Sequence, residues 1–257
     1  PSLLKSLSPS EQDDLTLCLE ELGARLSDVF GADQVLWVEG KTEAKCFPLI
    51  VEKLLNRPLL GTAIVQVDST GDLEGKDAER VIKIYERLSE GGGLVPSTLG
   101  FIFDRENRTQ PQIDDLKRRL GGDRVRFLKR SMIENYFLNA TAISEVLKLE
   151  GIIKDGVSLT DIKGWLDEKL AGKTLDPEQH RNYYAKNRIG EPGENIKVVH
   201  AGKVLEDIFA YFSKTGVEKY DKPRHGLILT EWFIAHQPEA LTEIKELLAE
   251  ALPTASS

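Results

Sequence analysis

The chain switches repeatedly between two hydrophobic periods. Ser8-Pro9-Ser10-Glu11 is a helix-start signal, with Ser8 as N-cap, Pro9 in the first turn and Glu11 closing a capping box. Leu15, Leu19, Leu22, Leu26 and Val29 then recur at helical spacing until Gly31. Residues 34–39 (QVLWVE) read as a strand, and 41–55 as a helix through Phe47, Ile50, Val51 and Leu54. Residues 62–67 (TAIVQV) read as a second strand, ending at Asp68 with Gly71 close behind. A helix over 74–90 stops at Gly91-Gly92-Gly93. Residues 99–103 (LGFIF) form a third strand, 111–120 a helix stopped by Gly121-Gly122, and 124–128 (RVRFL) a fourth strand. Strands alternating with helices predict a parallel sheet with helices on both faces.

Beyond about residue 137 the alternation ends. Residues 139–150 and 158–171 read as helices, 172–196 as a long polar loop, and 196–199 (IKVV) as a short fifth strand. Residues 203–213 and 238–251 read as helices, with a mixed apolar stretch, GLILTEWFIAH, between them. Neither an internal repeat nor a low-complexity segment is visible.

Two of the strands empty into acids. The first ends at Glu39, followed by Gly40 and then Glu43, four residues on, in the next helix. The third ends in Asp104 and Glu106. Residues at i and i+4 share one side of a helical turn, and alternate residues of an extended segment share a face, so each pair is expected to point one way. Ligands of open parallel sheets bind at the C-terminal strand ends. Crowded carboxylates repel unless a cation neutralises them, and hard oxygen donors suit Mg²⁺, Mn²⁺ or Ca²⁺. Taken singly, a Glu-Gly turn or a D-x-E is an ordinary surface feature. Glu134, among Ile133, Tyr136 and Phe137, needs a partner and is a further candidate ligand, the alternative being a helix-cap or ion-pair role. Lys203 sits at a helix start, where cations are disfavoured, and so is expected to meet an anion. The four histidines are scattered and suggest no role.

Composition narrows this further. The 257 residues are 40% hydrophobic and 30% charged, ordinary for a globular chain of one large or two small domains. No apolar run approaches the roughly 18 residues that span a membrane, and no signal peptide is seen. Cys18 and Cys46 form no metal or disulfide pattern, so a cytoplasmic, reducing setting is expected. A net charge of −8 argues against nucleic acid as a partner. Residues 117–130 run the other way: Lys117, Arg118, Arg119, Arg124, Arg126, Lys129 and Arg130 stand against the single acid Asp123, a density that attracts phosphates unless it is a solvated helix face. The sequence opens at Pro1 without a methionine and reads as a piece of a longer protein.

A strand ending in E-G, followed by a later strand ending in D-x-D or D-x-E, resembles the Toprim fold. VLWVEGKTEAKCFPLI, FIFDRE, the IENY after the fourth strand, the late GK before a helix and LSDVFGAD ahead of the first strand resemble the OLD (overcoming lysogenization defect) nucleases, over roughly residues 20–210. The fold class expected is α/β, a Toprim-like Rossmannoid parallel sheet flanked by helices with an additional helical subdomain. The corresponding division is a linker helix over 1–33, a catalytic core over 34–137, a helical insertion over 138–195, and completion of the core with C-terminal helices over 196–257.

The resemblance implies a DNA endonuclease using two divalent metal ions, Mg²⁺ or else Mn²⁺ or Ca²⁺. It implies Glu39 and Glu43 as the first acidic pair, Asp104 and Glu106 in place of the D-x-D, Glu134 as the acid after the fourth strand, and Lys203 as catalytic lysine, with Glu39 also catalytic. Glu106 replaces the family's second Asp and lengthens that ligand arm. Arg118, Arg119, Arg124, Arg126, Lys129 and Arg130 would hold flanking DNA. The resemblance also implies an N-terminal ABC-type ATPase outside this sequence, dimerisation through that region, and a role in phage defence. No Walker A motif is present. The rivals are a degenerate Toprim module that binds nucleic acid as a sensor, another Toprim phosphotransfer enzyme, and a haloacid-dehalogenase-type phosphatase.

Overall fold

The computed structural model describes residues 29, 31–59, 61–67, 96–106, 108–172, 175, 177–184 and 192–252. The helices expected over 15–29 and 74–90, and Asp68, lie outside them apart from Val29. The chain forms two compact units.

The first unit holds residues 1–103, 109–127 and 247–257, with a parallel sheet at its centre. Its strands are β1 (Gln34–Val38), β2 (Thr62–Gln66), β3 (Ser97–Phe103) and β4 (Val125–Phe127), in the order β2-β1-β3-β4, every pair parallel. This is the α/β class expected. β1 is paired on both sides, and Val35 to Val38 are all buried, so it reads as an unbroken apolar run rather than an alternating one. Helix α1 (Lys41–Leu54) buries Cys46, Phe47, Ile50 and Val51, and α2 (Gln110–Leu120) buries Ile113, Leu116 and Leu120. α2 ends where Gly121 adopts φ 107°, a left-handed cap that glycine supplies cheaply.

β3 starts two residues ahead of its expected position. Its pairing with β1 slips between Val35 and Leu36, whose partners are Thr98 and Gly100, leaving Leu99 as a bulge. Gly100 lies so close to the Arg124 carbonyl that a Cβ there would overlap a backbone oxygen.

The second unit holds residues 104–108 and 128–246 and is helical. Its helices are α3 (Ala140–Leu149), α4 (Leu159–Ala171), α5 (Pro177–Tyr183), α6 (Pro192–Val198), α7 (Ala201–Phe212) and α8 (Lys222–His236). α9 (Thr242–Ala251) begins in this unit and ends in the first. Asn139, Ser158 and Asp221 cap α3, α4 and α8 through their side chains. The chain enters this unit at Asp104, leaves it at Thr109, re-enters it at Leu128 and leaves it again at Leu247.

Two expectations for this region fail. The stretch 172–196 is not one long loop, because α5 and α6 lie within it. IKVV is not a fifth strand: Ile196 to Val198 complete α6, and Val199 follows fully buried. Asn195, which looks like a turn residue, is buried and donates from its amide to the Leu170 carbonyl at the end of α4.

The connection from β4 into α3 turns on Asn135, which is wholly buried. Its Oδ1 accepts from the Met132 N–H at 2.9 Å, and its Nδ2 donates to the carbonyls of Ile196 at 2.7 Å and Val199 at 2.9 Å. One amide thus fixes the 3-10 turn Ile133–Tyr136 against the end of α6.

Two substitutions probe these contacts by urea denaturation. Gly100→Ala is expected to cost about 1–3 kcal/mol, because the obstacle is backbone and cannot swing aside. Asn135→Leu keeps the volume but strands one N–H and two carbonyls, and is expected to cost about 3 kcal/mol.

Candidate functional site

In the first unit, β1 and β3 are neighbours in register, Val38 opposite Ile102, so both leave the sheet at the same edge. Glu39 follows β1 directly and is half-buried. Gly40 caps α1, and Glu43, in the first turn, is 4% exposed. A carboxylate there complements the positive end of the helix. The backbone at Gly40 has φ −132°, which any residue adopts, so glycine is not required for the turn. Its missing Cβ leaves space that the Glu43 carboxylate fills, with Oε2 placed 2.6 Å from where a Cβ would stand. The room that glycine leaves at this strand end is thus taken by Glu43 itself.

β3 ends at Phe103, and Asp104 follows it. The alternation expected to align Asp104 with Glu106 does not hold, because the strand stops before both and Glu106 takes a left-handed backbone, φ 42°. Such a conformation is costly for a residue with a Cβ and persists because the surroundings hold it. The Glu106 N–H donates to the Ser131 carbonyl at 2.6 Å. Buried Arg108 donates through Nη1 to the Asp104 carbonyl at 2.7 Å and lies 3.6 Å from Glu106 Oε2.

Glu106 also lines a cavity of about 170 Å³ in the second unit, with Ser131, Met132, Arg181, Asn182, Tyr183, Val198 and His200. His200 caps α7: its Nδ1 accepts from the Lys203 N–H at 3.3 Å, which leaves Nε2 to carry the proton of the neutral ring. Burial, then the nearby Lys222 ammonium, holds this imidazole below its ordinary value.

Glu134 is 3% exposed on the 3-10 turn and pairs with Lys222, Nζ to Oε1 3.7 Å. Gly202 makes room for that cation, since a Cβ there would stand 2.9 Å from Lys222 Nζ. Lys203, the expected catalytic lysine, is 49% exposed and donates to Glu206 at 2.7 Å, one turn along its own helix. That carboxylate holds the ammonium above the ordinary lysine range. Sequence reasoning passed over Lys222 and His200. HAGK carried a usable signal for His200, a polar side chain at the N-cap position, whereas the DKPRHG segment around Lys222 carried none.

The basic segment is largely engaged. Arg118 and Arg119 both pair with Asp115. Arg126 donates to the Glu250 carbonyl at 3.0 Å, and Lys129 meets Glu246 at 3.1 Å. Arg130 meets Glu243 at 3.2 Å, donates to the Asn135 carbonyl and lies 4.1 Å over the Tyr136 ring. The Arg124 guanidinium lies against Gly121. Among the described residues, no three His, Cys, Asp or Glu side chains are grouped so as to hold a metal ion, and no helix is long and apolar enough to cross a membrane.

Burial also holds His225 below its ordinary value. For both histidines the unfolded ring, near 6.5, takes up its proton before the native one does. Stability is therefore expected to fall as pH drops from about 7.5 to about 5.5, read as a falling urea midpoint. His200→Asn keeps a capping acceptor and should shrink that fall.

No family model matches the chain, and neither does any curated protein. Among solved structures, the chain is similar to the C-terminal region of the Burkholderia pseudomallei OLD protein, at 16% identity and a TM-score of 0.43, covering 85% of this chain and 100% of that one. It is also similar to the C-terminal region of the Xanthomonas campestris pv. campestris OLD protein, at 17% identity and a TM-score of 0.36, covering 86% and 98%. Likeness at this level assigns no residue a role; what the chain shares with these two regions is similarity over most of its length.

Proposed function

We propose that the protein is a divalent-metal-dependent DNA endonuclease, the nuclease part of an OLD-like protein that works joined to an N-terminal ABC-type ATPase. One observation carries the reading: the adjacent, in-register strands β1 and β3 leave the sheet at a common edge and run directly into Glu39 and Asp104. The motif resemblance of VLWVEGKTEAK, FIFDRE and IENY supports it independently.

Glu39, Glu43, Asp104 and Glu106 are the proposed ligands, which binding of the ions would have to draw together, since no three of them are grouped for a metal in the structure. Their donors are carboxylate oxygens, without thiol or imidazole, which fits Mg²⁺, or Mn²⁺ or Ca²⁺, two ions per site. Such ions, when bound, would polarise the scissile phosphate and lower the pKa of a bound water. Glu43 would hold its carboxylate over Gly40 in the first turn of α1, and Arg108 would fix the turn that carries Glu106. Glu134 stays in its pair with Lys222. Lys203 would turn from Glu206 to a phosphate, an exchange of one exposed partner for another that costs little. Arg118, Arg119, Arg124, Arg126, Lys129 and Arg130 are proposed to meet the flanking backbone. Exposed pairs such as Arg118 with Asp115 and Lys129 with Glu246 contribute only about 0–1 kcal/mol each, so phosphates compete for them in a salt-dependent way.

Supercoiled plasmid incubated with Mg²⁺, Mn²⁺ or Ca²⁺ tests the proposal. Nicking or linearisation is expected with at least one ion, abolished by EDTA and reduced at least about a hundredfold in Glu39→Gln and Asp104→Asn. If the variants cut as well as the native chain, the catalytic reading of these residues fails; if no ion supports cleavage, the carboxylates belong to a binding or structural site, or to an enzyme that needs its ATPase part.

A further inference from the structure

A second concave surface lies within the helical unit, sharing Tyr183 with the first cavity and reaching Asp207, one turn from Lys203 on α7. It is an open depression of about 540 Å³ lined by Lys154, Trp165, Lys169, Tyr183, Asp207 and Tyr211 among others. That volume lies within the range of a small-ligand site. Two helices build it. Trp165 and Lys169 are one turn apart on α4, and Asp207 and Tyr211 one turn apart on α7, so each pair shares a helix face.

Of its aromatic groups, Tyr183 is buried and Tyr211 is displayed. Tyr211 is 59% exposed and Trp165 is half-buried, their centroids 6.1 Å apart and their planes inclined by 36°. Phe212, nearly buried, props both from behind, at 4.9 Å from Tyr211 and 6.4 Å from Trp165 in edge-on arrangements. The Tyr211 ring therefore stands on a fixed base with much of its surface in water.

Cations flank the rings. Lys154 Nζ lies 5.5 Å from the Tyr211 centroid and donates to the Tyr211 carbonyl. Lys169 Nζ lies 5.7 Å from the Trp165 centroid and 3.8 Å from a Glu168 carboxylate oxygen. The one carboxylate that lines the cavity, Asp207, accepts from the Tyr183 hydroxyl. Exposed Lys154 beside the presented Tyr211 ring, with half-buried Trp165 and Lys169, whose side chain is 12% exposed, next to them, matches a ligand that carries flat faces and negative charge in alternation. A globular protein surface offers no such repeat, whereas a single nucleic-acid strand does: every base has a face to stack, and every linkage a phosphate.

From this we infer that the α4–α7 face binds a single-stranded nucleic-acid segment. A base stacks on Tyr211 beside Trp165, and Lys154 and Lys169 meet the flanking phosphates. Binding there is tolerant of sequence, because stacking reads a base's face and not its edge. The inference deepens the nuclease proposal by giving its substrate a single-stranded part, yet it needs neither a metal ion nor cleavage, so either can fail alone.

The test is fluorescence anisotropy with a labelled oligothymidylate of about twelve nucleotides, in EDTA so that no cleavage intervenes, beside a duplex of the same length. Native protein is expected to bind the single strand more tightly than the duplex and to lose affinity as salt is raised. Tyr211→Ala is expected to weaken the single strand about tenfold while leaving the duplex unchanged, and Tyr211→Phe, which keeps the ring, to restore most of the affinity. Lys154→Gln is expected to weaken the single strand and flatten its salt dependence. Circular dichroism checks that the variants fold. The inference is overturned if the single strand binds no better than duplex, or if Tyr211→Ala binds it as tightly as the native chain. It is also overturned if sedimentation shows native dimers that Tyr211→Ala converts to monomers, which would make the face a contact between copies of this chain.

Discussion

Parallel strands cannot turn back on themselves, so each must deliver the chain at the same edge of the sheet and return through a crossover. That constraint organises the first unit. β1, saturated with backbone partners on both sides and packed with Val35 to Val38, has no side chain free for chemistry until it ends. The first polar residue after it is Glu39, and the first after β3 is Asp104. Charge appears where the apolar requirement lapses, and the in-register pairing of Val38 with Ile102 makes it lapse on neighbouring strands together. The bulge at Leu99 belongs to the same arrangement: β3 takes one extra residue to keep this register while Gly100 closes on the β4 side.

Hydrogen bonds to backbone tie the start of the helical unit to α6. Asn135 ties a 3-10 turn to the end of α6, the Ser131 N–H donates to the Lys197 carbonyl, and Ser131 Oγ donates to the Val198 carbonyl. These bonds are buried, where an unmet partner is expensive, so the chain around IENY has little freedom to move by small steps. The fixed geometry reaches outward. The Ser131 carbonyl also takes the Glu106 N–H, and that contact helps keep Glu106 in its left-handed conformation.

Much of the sheet unit was legible in the sequence because its signals are local. QVLWV and TAIVQ are apolar runs bounded by turn residues, and α1 and α2 carry apolar stripes at helical spacing. The helical unit was harder, because its signals conflict. IKVV is β-branched and apolar and reads as a strand, yet tertiary burial of Val199 and the cap that Asn195 lends to α4 favour helix there. Pro192, inside the stretch that reads as a polar loop, stands at the start of α6, the position where proline suits a helix. GLILTEWFIAH has too little polar contrast to reveal a face, while the true start signal lay upstream in Asp221 and Pro223. Of the candidate residues, those at strand ends followed from the strand pattern. The partnership of Glu134 with Lys222 joins segments far apart in the chain and leaves no mark in either.

Lys203 in the first turn of α7 and Lys222 at the start of α8, whose ammonium reaches Gly202, share one electrostatic problem. Cations are disfavoured at the positive end of a helix, yet Lys203 lies in its first turn and the Lys222 ammonium rests against Gly202. Each is balanced by its own carboxylate, Glu206 for Lys203 and buried Glu134 for Lys222. The expectation that a lysine held at this helix end must meet an anion was sound, but the protein supplies the anions itself. The balance differs in kind between the two. Glu206 is exposed, and water can replace it at little cost, whereas Glu134 is 3% exposed and would be left charged and dry without its partner. Lys203 is therefore the lysine free to exchange carboxylate for phosphate, and Lys222 the one whose charge the fold itself requires.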